Sequence, residues 1–178
     1  MSRQQIPFDD LVIRPHYLWD SQWLLLSAGD LAAGQFNVMT VGWGSLGTMW
    51  GQPFAQVVVR PVRHTYQFIE QYDTFTLCAL PETYRPALQL MGTKSGRDGD
   101  KVAEAGLTPV ASSEVAAPSF AEAELVIECR KVYWDDLEPA HFLAPDIDRH
   151  YAQRDYHRVY FGRIVAIWGD AAYARPAG

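Results

Sequence analysis

Acidic residues are missing from one long window. The chain carries 21 Asp and Glu, yet none falls between Leu31 and Ile69. The cations of that window are Arg60 and Arg63, close together near its far end. An acidic chain that clears carboxylates from one segment and leaves arginines there is prepared for an anion. Cysteine is scarce too. Cys78 and Cys129 stand alone without a C-x-x-C pair, which argues against a disulfide framework or a thiolate metal site. No apolar run is long enough to span a bilayer, and the start, Met1 to Pro7, lacks the apolar core of a signal peptide. A cytoplasmic protein with no membrane partner is therefore expected. The net charge of −6 argues against nucleic acid as a generic partner.

What is present describes a globular chain, 48% apolar and 13% aromatic. Its 178 residues are most simply one domain, 1–178, with room for a proper core. Residues 1–22 are mixed in character and read as a surface run. Strands are expected over Trp23 to Ser27, Phe36 to Trp43, Phe54 to Arg60, Thr74 to Ala79, Glu124 to Tyr133 and Arg158 to Trp168, with Gly162 as a bend. Short helices fit Arg63 to Gln71, where Pro61 suits a first turn, Tyr84 to Met91, and a piece stopping at Gly106. Strands with turn-rich joints and only short helices favour an antiparallel barrel over an alternating βαβ sheet.

Gly42, Gly44 and Gly47 spell G-x-G-x-x-G after an apolar run, the dinucleotide fingerprint. That motif needs a helix at once and an acid roughly 20 residues on. Here Gly51 and Pro53 oppose a helix, and the first acid downstream is Glu70. A twisted hairpin, whose glycines let the backbone bend or a ligand approach, suits the stretch better.

Three constellations could carry chemistry. Arg60, Arg63 and Thr65 flank a helix start, where free N–H groups and cations together favour an anion. The plainer reading is that both arginines face solvent or pair with acids such as Glu70. The loop Ser95, Gly96 to Lys101 can present hydroxyl, N–H and ammonium donors, or it can be a turn whose Asp98 or Asp100 caps the next helix. His141, Asp146, Asp148, His150, Asp155 and His157 match no compact ligand spacing, so a polar surface loop is preferred and no metal is expected. There is no G-x-S-x-G elbow for Ser-based hydrolysis. Trp43 and Trp50 sit beside glycines, where a flat ring could stack.

The runs N-V-M-T-V-G-W-G, V-V-V-R-P-V-R-H-T-Y, F-T-L-C-A-L-P and G-T-K-S-G-R-D-G-D-K, with Glu128-Cys129 and H-R-V-Y-F-G-R-I from His157, resemble the flavin reductase-like, FMN-binding split-barrel family, nearest its flavoredoxin branch. The likeness covers nearly everything from Trp23 to Trp168. It implies a mainly β fold with short helices, a six-stranded antiparallel split β-barrel, acting as a homodimer with FMN near the subunit interface. By resemblance, Met39, Thr40, Val41 and Trp43 line the flavin ring, Arg60, Arg63 and Thr65 match the phosphate side, and Ser95, Gly96 and Lys101 match the loop closing over the cofactor. Arg163 departs from the pattern, which has Glu after the glycine of the last strand. The implied activity is that of an FMN-dependent oxidoreductase moving hydride or electrons from NADH or NADPH through FMN to an acceptor. No catalytic side chain is assigned, and His157 is either near the open face or structural. An electron carrier reduced by a redox partner protein, and a small-ligand or structural barrel without flavin, are the alternatives.

Overall fold

Two rhythms of burial divide the strands of the computed structural model, which describes residues 3–176. In chain order the strands are β1 (Gln4–Gln5), β2 (Leu24–Asp30), β3 (Gln35–Val41), β4 (Gly44–Met49), β5 (Gln52–Val59), β6 (Thr74–Ala79), β7 (Pro109–Val110), β8 (Ser119–Phe120), β9 (Leu125–Asp136) and β10 (Arg158–Gly169). The α-helices are α1 (His64–Gln71), α2 (Arg85–Thr93) and α3 (Lys101–Glu104). In β5 every second residue is buried: Ala55, Val57 and Val59 point inwards, while Phe54, Gln56 and Val58 stay partly open. Strand β6 is buried at every position. Alternation marks a strand covered on one face, and continuous burial marks one covered on both.

The second cover is α2. Its Ala87, Leu88 and Met91 pack with Leu25, Val38 and Cys78 from the outer faces of β2, β3 and β6. The inner faces meet in a separate cluster that joins Leu26, Met39, Val57, Leu77, Ile127 and Tyr160. The sheet runs β3-β2-β6-β9-β10-β5-β4, with β1 added on β10, and each of these pairings is antiparallel. It is thus eight-stranded, where six strands were expected. Six of them, β2, β3, β5, β6, β9 and β10, supply the inner cluster. The extra β4 is a glycine-bearing stretch, Gly44 to Met49, with no fully buried residue, so it has no apolar signature to read. It pairs with β5 through a two-residue turn, Trp50-Gly51, in which both residues have positive φ (53° and 69°), the signature of a type I′ hairpin. That strand also removes the dinucleotide reading, because no helix follows the glycines.

The opening segment is a correction. A surface run over 1–22 is expected, but within the described residues 3–22 Ile6, Leu18 and Trp19 are buried in the inner cluster. Trp19 sits in a π-helical stretch, Tyr17–Gln22, and its indole lies against Gly44. A Cβ on Gly44 would stand 2.4 Å from both Trp19 Cη2 and the Gln56 carbonyl oxygen. Gly44 is therefore a packing requirement of the hairpin. A G44A protein should lose about 1–3 kcal/mol through overpacking, read as a lower urea midpoint. An unchanged midpoint would mean that Trp19 can swing aside.

Candidate functional site

Chain leaving β3 at one edge of the sheet restarts as β4 at the other, and among the described residues no ladder joins β3 to β4 or β5. Side chains of both edges share one core, so the sheet curls round and leaves a seam. A cavity of about 460 Å³ lies along it, between the end of β3 and the end of β5. Met39, Thr40, Val41, Trp43, Arg60 and Arg63 all line it. A smaller cavity of about 70 Å³ adjoins it, sharing Met39, Val62 and Arg63, and is lined by Thr65, Ser95, Gly96 and Lys101. The ten residues singled out from the sequence thus fall along one groove.

Their individual settings differ from a simple row of free cations. Arg60 Nη1 donates to both carboxylate oxygens of Asp155, at 3.0 and 2.9 Å, and its Nη2 donates to the His150 carbonyl at 2.8 Å. The Arg60 guanidinium holds the Asp155 carboxyl below its ordinary range. Arg63 donates to the carbonyl of Gly92 at the end of α2, and burial, then Arg60, lower its pKa. Lys101 is only 4% exposed. Its ammonium donates to the carbonyls of Met91 (3.1 Å) and Lys94 (3.0 Å), and burial, followed by Arg63, pushes its pKa down to about 8. Lysine and arginine at a helix carboxyl end satisfy carbonyls that lack intrahelical donors.

On the other wall of the small cavity, buried Thr65 accepts a hydrogen bond from Asn37 Nδ2 at 2.7 Å. Gly96 lies so near that a Cβ would stand 2.1 Å from Asn37 Oδ1. Ser95 accepts from the Arg97 N–H, and Asp100 accepts from Val102 and Ala103, so the loop does cap α3 while it turns Lys101 inward. His64 also lines this cavity, and its Nδ1 is buried with no hydrogen-bond partner among the described residues.

The segment 137–157, which contains the stretch His141 to His157 expected as a polar surface loop, supplies a wall. Phe142, Tyr151 and Tyr156 form an aromatic knot, with Tyr151 and Tyr156 ring centroids 4.7 Å apart. Tyr151 and His157 are both buried, and the tyrosine hydroxyl lies 2.9 Å from His157 Nδ1. Trp43 stands between His150 and His157, at 5.3 and 5.2 Å between centroids. Asp155 and His157 line the larger cavity. Three aromatics within a polar stretch were the available signal for this wall. Among the described residues no three His, Cys, Asp or Glu side chains converge as a metal site, and no helix is long and apolar enough to cross a membrane.

A profile of the flavin reductase like domain matches residues 21–177. The chain belongs to that family. Flavoredoxin of Desulfovibrio vulgaris (Miyazaki F) has a similar structure, with a TM-score of 0.66 at 22% identity over 87% of this chain and 73% of that one. Flavoredoxin from Methanosarcina acetivorans gives 0.66 at 20% identity over 97% and 77%. An FMN-binding domain of a flavin reductases-like enzyme from Shewanella baltica OS155 gives 0.63 at 18% over 90% and 78%. At such identities the likeness is one of fold, and the fold is the split barrel expected for a flavin reductase-like chain. No curated protein sequence matches the chain.

Burial, and next the Arg60 charge, push the His157 pKa down to about 4. In the unfolded chain an imidazole titrates near about 6.5. The unfolded state therefore binds more protons between those values, and the stability present above about pH 6.5 drains away as pH falls towards 4. A H157Q protein should show a shallower loss than wild type across that window in urea unfolding. Parallel curves would remove His157 from the acid response.

Proposed function

We propose that this protein binds FMN along the seam and acts as an FMN-dependent oxidoreductase, passing hydride or electrons from NADH or NADPH to an acceptor. One observation carries the reading: a roomy slot edged by strand backbone and Trp43 opens, at Arg63, into a small pocket lined by cations and hydroxyls. No carboxylate lines the smaller pocket among the described residues. The larger cavity falls within the range of small-molecule sites, about 300–1,000 Å³.

The residues fit the group. The unpartnered Nδ1 of His64 and the ammonium of Lys101 suit a phosphate, as does the close-packed Gly96. In this reading Arg63, Thr65, Ser95, Gly96 and Lys101 hold the phosphate. Met39, Thr40, Val41 and Trp43 border the ring. The Thr40 hydroxyl is spent on the Leu88 carbonyl, so Thr40 offers the cavity its backbone. Arg60 borders the ring cavity with its charge offset by Asp155, and its larger task is to fasten the segment 137–157. Bound FMN would supply the hydride and electron chemistry; the chain supplies position, charge and exclusion of water.

We also propose a homodimer. Trp50 is 65% exposed and, with Tyr133 and Phe54, edges an apolar groove of about 350 Å³ on the outer face of β4, β5, β9 and β10, with the Phe161 ring packed against all three. A large exposed apolar patch marks an interaction site, and a second copy covering this face would also cover the sheet margin at β4. Sedimentation at micromolar concentration should give about twice the 20.1 kDa chain mass.

The flavin reading is tested by the visible spectrum of the purified protein before and after anaerobic NADH or NADPH. Yellow protein that bleaches supports it. Yellow protein inert to both nucleotides indicates a carrier reduced by a partner protein, and colourless protein that refuses FMN overturns the flavin site. Fluorescence titration then separates the cations. R63A should weaken FMN roughly ten- to a hundredfold, the worth of a charged hydrogen bond, and leave riboflavin nearly unchanged. R60A should discriminate less between the two ligands. Equal loss of both ligands in R63A would make Arg63 a cap for α2 and no more.

A further inference from the structure

The wall from 137 to 157 is built as a unit of its own. Apart from two short 3-10 turns, Pro139–His141 and Ile147–Tyr151, it has no regular structure. Its buried tyrosine, Tyr151, belongs to neither core cluster of the sheet. Phe142 and Tyr156 pack on that ring instead, at 5.9 and 4.7 Å between centroids. The Tyr156 hydroxyl donates to Asp148 at 2.9 Å, and the N–H groups of Ile147 and Arg154 donate to the carbonyls of Ala144 and Tyr151. The segment thus carries a small core made from itself.

Its two ends are pinned together. The Leu137 N–H donates to the His157 carbonyl at 3.0 Å. Beside them Asp136 faces Arg158 across β9 and β10, and Arg158 Nε and Nη2 each donate to an Asp136 carboxylate oxygen at 2.7 Å. Between these ends, the side-chain hydrogen bonds that join the segment to the rest of the chain all come from Arg60, among the described residues. Arg60 holds the Asp155 carboxylate and the His150 carbonyl, and its guanidinium lies 5.2 Å from the centroid of the Tyr151 ring. The other neighbour is Trp43, whose ring meets His150 and His157. A unit with its own small core, a clamped base and one polar tie is suited to open locally while the rest of the fold stays closed.

We infer that 137–157 is a flap hinged at its base, latched to the end of β5 by Arg60 through Asp155 and His150, and that releasing the latch admits ligand to the seam. Closed, the flap gives the larger cavity the wall made by Asp155 and His157. Lifted, it takes that wall away and uncovers one side of Trp43. The gate rests on the reading of the seam as a flavin site; the latch does not.

Hydrogen exchange of the flavin-free protein tests the latch. D155N keeps the shape of the side chain and removes its charge. The hydrogen-bonded amides of the flap, Ile147 and Arg154 among them, should then exchange roughly tenfold faster, the lower end of what a charged hydrogen bond is worth. Amides of β2 and β6 should be unchanged. R60Q, which removes the other charge, should do the same. Flap amides that exchange alike in wild type and D155N overturn the latch, and so does an acceleration shared equally by β2 and β6. If D155N does not fold, as judged by circular dichroism, R60Q decides by the same readings. Stopped-flow fluorescence with FMN tests the gate: D155N should both bind and release FMN faster by a similar factor, with affinity changed less. Faster flap exchange with unchanged FMN rates overturns the gate. Wild type that takes up no FMN overturns the flavin reading and the gate with it, while hydrogen exchange still decides the latch.

Discussion

The carboxyl end of α2 needs donors, and meeting that need arranges the site around it. A helix ends with carbonyls that no intrahelical N–H can reach. Those of Met91 and Gly92 take Lys101 and Arg63, and Lys101 also reaches Lys94. Both cations are drawn partly out of water to do so, and burial lowers each pKa first, with Arg60 adding to the effect on Arg63 and Arg63 to that on Lys101. Carbonyls alone compensate a buried cation incompletely. The pair therefore holds unspent positive potential against the small cavity. Fastening a helix and preparing an anion pocket are here one arrangement of charge.

The seam follows from an unequal distribution of cover. Helix α2 seals the outer face of the sheet around β2, β3 and β6, whereas β5 shows its outer row to solvent. With no ladder between β3 and β5 among the described residues, the gap has to be walled by side chains. Arg60 does this over a long span of chain, tying β5 to Asp155 and His150. The aromatic knot of Phe142, Tyr151 and Tyr156 then stiffens a segment that has little regular structure.

Much of this was legible in the chain. Alternating and β-branched runs gave six strands close to their observed positions, and the acid-free window drew attention to Arg60 and Arg63, both of which line the seam. Three features were not legible, each for a physical reason. Strand β4 is held by pairing and by the Trp50-Gly51 turn, so Gly44 to Met49 has no hydrophobic rhythm. The opening residues look mixed because, among those described, only Ile6, Leu18 and Trp19 are buried deeply, at irregular spacing. Arg60 finds its carboxylate 95 residues away, and no local pattern signals such a partner.

Strand β5 carries one further consequence. Its inner row, Ala55, Val57 and Val59, belongs to the core, while its outer row passes from Phe54 at the aromatic groove to Arg60 at the seam. Because side chains alternate with a period of two, one residue gained or lost within β5 would exchange the rows beyond that point. Arg60 would turn towards an interior that has no counter-charge, and Val59 after a gain, or Pro61 after a loss, would take its place against Asp155. The chain can therefore absorb length changes in its loops far more readily than here, and the spacing between Phe54 and Arg60 is a ruler that both cavities share.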